Sequence, residues 1–256
     1  MKLIKKGTIP ASYCDSDVKL SVVGAFSMVE DLVTEMMGEL KVDGLICRKE
    51  YGAMWVFVRN RMELRRDLYW KDEYTAECFI SAIGKGKLHE DTVLRSADGT
   101  IALASRLELC AVDLETAKLR KMDTVGITGD IIAEEPYCEV NYARGKFVPE
   151  KLLETITVRS SDIDYLHHTN NISYIRYLVN QWSTEELSQR PIRAIEVQYA
   201  GQTYEGDRLG IWSCGGGAEP ESAAPVAAAK SASAESEERF AILQDGKSIL
   251  NCLVER

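Results

Sequence analysis

Apolar side chains recur at helical spacing over residues 20–40. Val22, Phe26, Val29, Val33 and the Met36–Met37 pair return every three or four positions, with no proline among them. Glu30, Asp31, Glu35 and Glu39 fall between them and read as the other faces of an amphipathic, core-facing helix. The pattern then changes to short β-prone runs at 53–58, 61–64, 74–80, 89–95 and 101–112. Turn signals separate them, Gly84-Lys85-Gly86 and Ala97-Asp98-Gly99. Further on, Ile172, Ile175, Leu178, Val179 and Trp182 predict a second helix over 171–187. Strands follow again at 192–199, 209–214, 240–243 and 248–254.

A helix followed by antiparallel-looking strands thus occurs twice, which predicts an α+β fold built by duplication. The letters repeat as well. Asp15-Ser-Asp17 and Asp162-Ile-Asp164 each precede a helix, which makes Asp17 the expected counterpart of Asp164. Trp70-Lys71-Asp72 and Glu205-Gly206-Asp207 each precede a strand. The domains read as 1–126 and 151–256, with a crossing linker at 127–150. A low-complexity insertion rich in Gly, Ala, Ser and Glu, at about 215–238, holds too few large apolar side chains to pack and is expected to be a flexible surface hairpin.

Composition narrows the function. Apolar residues make up 45% and charged residues 28%, enough for a sizeable core, and the net charge is −9. That balance argues against a nucleic-acid binder, which needs a dominant basic face. No apolar run approaches the roughly 18 residues of a membrane span, and Leu3 and Ile4 between charged neighbours make no signal-peptide core, so a cytoplasmic protein off the membrane is expected. The seven cysteines are scattered with no CxxC pair, which points to reduced, buried thiols, with no metal site and no cofactor.

Chemistry concentrates in one place. Residues 159–171 hold a carboxylate, Asp164, four positions before an imidazole, His168. Asn170 and Asn171 stand at the expected helix start. Only three histidines exist, His89, His167 and His168, and two of them are here. Asn is a good helix N-cap, and a helix N-terminus suits a developing oxyanion.

The run Asp162-x-Asp164-x-x-x-His168-x-Asn170-Asn171-x-x-Tyr174 resembles the signature of acyl-acyl carrier protein thioesterases. Asp15-x-Asp17, the long helix, Trp55-x-x-x-Arg59, Trp70-x-Asp72, Asp98-Gly99 and Lys118-Leu119-Arg120-Lys121 resemble that family's first half in order. The resemblance implies two tandem hotdog domains, each a long helix packed on an antiparallel sheet, with the active site in the second. It implies hydrolysis of a fatty acyl thioester on the phosphopantetheine of acyl carrier protein, with Asp164 and His168 catalytic. The family usually carries Asn where this chain has Leu166, and Glu where it has Gln202. Gln202 can orient a water but cannot take its proton. His167 or Glu205 would compensate after a register shift.

In this reading Asp164 is the general base or the electrostatic partner of His168, His168 positions the water or the carbonyl, and Gln202 orients the water. Asn170 and Asn171 shape the substrate-binding mouth. Val and Met residues of the first helix, with Phe26, line an acyl tunnel. An acidic carrier protein would dock on Arg59, Arg61, Arg65 and Arg66, on Lys85 and Lys87, or on residues 118–121. Hydrolysis of acyl-coenzyme A and acyl binding without catalysis are the alternatives, and a homodimer is left open.

Overall fold

The computed structural model describes residues 1–133, 140, 142, 145–215 and 236–256. The first half runs β1 (Leu3–Thr8), α1 (Val22–Glu39), α2 (Gly44–Tyr51), β2 (Ala53–Leu64), β3 (Glu73–Ile83), β4 (Lys87–Ser96) and β5 (Ile101–Asp113). The second runs β6 (Val148–Thr157), α3 (Asn171–Val179), α4 (Thr184–Gln189), β7 (Ala194–Tyr199), β8 (Arg208–Gly215), β9 (Glu237–Gln244) and β10 (Lys247–Glu255). The strands form one ten-stranded sheet in the order β1-β3-β4-β5-β2-β7-β10-β9-β8-β6. Read from either end toward the middle, the two halves have the same order, and they join where β2 pairs antiparallel with β7. This is the α+β double hotdog arrangement.

Each half places its helix on the same face of the sheet. Helix α1 buries Phe26, Val29, Val33 and Met36 against β3, β4 and α3. Ser21 caps it by accepting the amide of Gly24 at 2.9 Å, and a side chain on Gly24 would meet the Tyr13 carbonyl at 2.3 Å, so only glycine allows this approach.

Several boundaries differ from the sequence pattern. The runs at 53–58 and 61–64 are one strand, β2, carrying a bulge between Phe57 and Arg59 that breaks the alternation. The second helix is not long: α3 has 9 residues and ends at Asn180, and Ser183 with Glu186 forms a capping box that starts α4 afresh. Strands β1 and β6 show no apolar periodicity because they are outer strands with mostly exposed side chains.

The described part of 127–150 runs across the face of the first-half sheet opposite the helices. There Ala133 donates to the Ile80 carbonyl at 2.9 Å, Val140 packs on Val93 and Ala104, and the Tyr142 ring lies 4.6 Å from the Arg59 guanidinium. The insertion expected at about 215–238 lies, apart from its ends, outside the described residues. Among the described residues no helix is long and apolar enough to cross a membrane.

Candidate active site

A single carboxylate oxygen organises the loop before α3. Asp164 Oδ1 accepts the amides of Leu166 at 2.8 Å and His168 at 3.3 Å, while the Asp164 amide donates to the His168 carbonyl at 2.9 Å. The chain reverses through His167, at φ 63°. Asn170 then caps α3, its Oδ1 accepting from Ile172 at 2.8 Å. The strand-end segment is stitched alongside. Thr169 donates its amide to the Thr203 carbonyl at 2.8 Å, the Thr169 and Thr203 hydroxyls meet at 2.7 Å, and Tyr174 joins Thr203 at 2.8 Å. This buried network fixes Gln202, the next residue along, beside the loop.

The result is a cavity of about 220 Å³ to which all five predicted site residues contribute: Asp164, His168, Asn170, Asn171 and Gln202. Leu166 lines it too, whereas neither His167 nor Glu205 does. His168 packs edge-to-face on Tyr204 with centroids 5.3 Å apart. Two of the amides at the helix start are already taken, Ile172's by the Asn170 side chain and Ser173's by the Asn170 carbonyl at 2.9 Å.

The rest of the wall comes from the first half. Val33 and Met37 of α1, with Met54, Trp55 and Phe57 of β2, give it an apolar side. Phe26, expected here, instead lies wholly buried in the core. The Trp55 indole donates to the Val42 carbonyl at 2.6 Å and so holds the start of α2 at the cavity edge, where the lack of a side chain on Gly44 leaves room for Tyr165.

Sequence reasoning missed Glu30 and Tyr199. Glu30 was assigned to an outer helix face, yet it lines the cavity in one stripe with Val33, Thr34 and Met37, a spacing that was visible in the letters. Its Oε1 is buried and has no hydrogen-bond partner among the described residues, and the same holds for the Tyr199 hydroxyl. Burial, and then the negative charges of Asp31 and Asp164, push the Glu30 carboxyl up to about 8. Burial and the nearby Glu30 also raise Tyr199.

The first half repeats the loop atom for atom. Asp15 Oδ1 accepts the amides of Asp17 at 2.9 Å and Lys19 at 3.3 Å, and Val18 takes φ 64°. The turns at Asp72 and Asp207 match likewise, each Oδ2 accepting the amide three residues earlier at 2.8 Å. The counterpart of Asp164 is therefore Asp15, not Asp17. What the two loops share is the acceptor three positions before the left-handed residue. Asp17 then stands for Leu166, Lys19 for His168 and Asp67 for Gln202. Asp15, Lys19 and Asp67 border a smaller twin cavity of about 110 Å³, with Lys19 Nζ 4.0 Å from Asp67 and 3.8 Å from Asp17.

The docking candidates divide. Arg61 is buried at the β2–β7 seam and Arg59 lies partly buried beside it, both paired with Glu196. Arg65, Arg66 and Lys87 pair with Glu63, Asp98 and Glu108. Lys85, Lys118 and Lys121 are exposed and carry no ion pair to the described residues; Lys85 and Lys121 border the same surface hollow.

Residues 146–248 match the family model of the acyl-ACP thioesterase C-terminal domain. The acyl-[acyl-carrier-protein] hydrolase FATB3, chloroplastic, of Cuphea viscosissima is 22% identical over 161 residues, which cover 60% of this chain and 39% of that relative. The match thus spans less than half of the relative's length. An acyl-ACP thioesterase of Bacteroides thetaiotaomicron has the same fold, with a TM-score of 0.83 and 18% identity over 99% of this chain and 97% of its own. The 12:0-ACP thioesterase of Umbellularia californica aligns with a TM-score of 0.73 and 15% identity, over 99% of this chain and 96% of its own.

Proposed function

We propose that this chain, whose residues 146–248 match the family model of the acyl-ACP thioesterase C-terminal domain, is an acyl-ACP thioesterase that hydrolyses the thioester of fatty acyl-acyl carrier protein and releases the free fatty acid. The observation that carries this reading is the joint cavity, where polar groups from the second half meet an apolar wall from the first. The acyl chain would lie along Val33, Met37 and Phe57, with the thioester carbonyl near the start of α3. His168 would orient the carbonyl or the attacking water, and Asn171 would offer its side-chain amide at the mouth. Gln202 would hold the water by hydrogen bonding, and Asp164 would set the loop that carries His168 and place a negative charge beside it.

Both cavity walls come from one chain, so this reading needs no second copy. It goes with domains at 1–126 and 151–256 joined by 127–150, and with a cytoplasmic location. The exposed Lys85, Lys118 and Lys121 are the surface suited to an acidic carrier protein.

Purified protein is given acyl-acyl carrier protein and acyl-coenzyme A, and free thiol is followed. Release from the carrier protein at the higher kcat/KM is expected, with a loss of about 10²–10⁴-fold in His168→Ala. Acyl-chain binding without thiol release would favour a binding protein, the reading to which Leu166 and Gln202 lend support.

A further inference from the structure

The twin cavity separates what the fold requires from what the site adds. Asp164 has a counterpart in Asp15, so a side-chain oxygen acceptor there is needed by the loop whether or not catalysis occurs. Glu30 has none. Counting from the matched helix starts at Val22 and Asn171, its equivalent is Val179, which lines the twin cavity as an apolar side chain. The fold therefore does not ask for a carboxyl at this helix position, and only the cavity holding His168 has one.

We propose that Glu30 is a catalytic residue, the acceptor of the proton from the attacking water, supplied by the first half in place of the carboxylate absent at Gln202. This rests on the thioesterase reading. Geometry supports it: Glu30 shares the cavity wall with Asp164, His168 and Gln202, and its Oε1 is buried with no hydrogen-bond partner among the described residues. A buried oxygen without a partner, on a residue that lines a cavity, has a water or a substrate atom as its natural partner. In the first step the water oxygen bonds to the thioester carbon, the carbonyl electron pair moves onto its oxygen, and the water proton passes to the Glu30 carboxylate. In the second the intermediate collapses, the C–S bond breaks, and the leaving thiolate takes that proton. A fatty acid and a thiol result, and Glu30 is again ionised.

The charge environment suits a base acting near neutrality. Asp31, next to Glu30 on its own helix, borders the adjoining hollow, while Asp164 and His168 from the loop and Asp43 before α2 line the cavity. Tyr165, Tyr174 and Tyr199 complete the titratable groups on its wall, and Arg176 borders the hollow on the other side of Glu30. With the carboxyl pushed up to about 8, the ionised form is lost as pH falls through that value, so kcat/KM rises as pH is raised across it.

The test measures kcat and KM on acyl-carrier-protein and acyl-coenzyme A thioesters from pH 6 to 10 for wild type, Glu30→Gln, Glu30→Val and Glu30→Gln/Gln202→Glu, with melting curves for each. Valine is the twin residue, so Glu30→Val is expected to fold even if glutamine disturbs the cavity. Both single variants should lose about 10²–10³-fold in kcat, with KM changed by less than about threefold and the pH limb near 8 gone. The double variant should regain at least about tenfold, with the limb moved. Folded single variants that keep wild-type rates and the limb would overturn the proposal and leave the thioesterase reading standing. A wild type that releases no thiol from either donor would overturn both.

Discussion

Asp164 draws the amides of Leu166 and His168 onto one carboxylate oxygen, and Asp15 does the same for Asp17 and Lys19. An asparagine oxygen closes such a turn equally well, so substitution by Asn separates the turn from the charge. Asp15→Asn and Asp164→Asn should both melt within about 2 °C of wild type, because each keeps its acceptor. Thiol release should fall by at least about tenfold in Asp164→Asn alone. Equal rates in the two variants would show that the Asp164 charge has no part in the chemistry. At this scale the sequence was informative where reactive types crowd together, as in 159–171. The helical spacing of Glu30 with Val33 and Met37 is in the letters, but its role depends on which elements close over that helix face, and the sequence is silent on Thr203, whose hydroxyl matters only through Thr169 and Tyr174.

Among the elements, β4 contains an anomaly. Glu90 sits mid-strand on the helix-facing side with Leu88 and Leu94, wholly buried; its Oε1 accepts the Cys78 thiol at 3.4 Å and its Oε2 has no partner among the described residues. Burial raises its carboxyl from 4.5 to about 8. The unfolded chain therefore loses this proton near pH 4.5 while the folded chain keeps it, and stability falls as pH rises through the window between. Glu30 adds a change of the same sign. Glu90→Gln should stabilise the protein at pH 8 by about 1–2 kcal/mol and flatten the pH 5–8 slope, read by denaturant melts at several pH values. A slope unchanged from wild type would mean the carboxyl ionises in place. The amphipathic α1 and the inner strands were legible because one face of each is buried and the period shows. Strand β1 and most of β6 were not, since exposed side chains impose no alternation, and the break after α3 hid because Trp182 keeps the apolar spacing through the interruption.

At the level of the whole molecule, the repeated order of elements was readable from the letters, whereas the pairing of β2 with β7 was not, since long-range register leaves no local trace. That junction has a consequence for ancestry and assembly. Matched turn by turn, Arg61 and Glu196 are the same position in the two halves, and in the sheet they face each other directly, their side chains 3.7 Å apart. The local twofold axis thus passes between a cation and an anion. Were either half to pair with its own copy, the axis would set arginine against arginine or glutamate against glutamate in a nearly dry seam, and like charges directly opposed disfavour pairing. Residues 146–256 made alone should sediment as monomer or aggregate, and Glu196→Gln should shift them toward a symmetric dimer; a stable dimer of the unmodified half would refute this. The two halves are thereby addressed to each other and not to themselves: a molecule that looks like a self-associating pair carries, at its axis, the mark of partners that have become unlike.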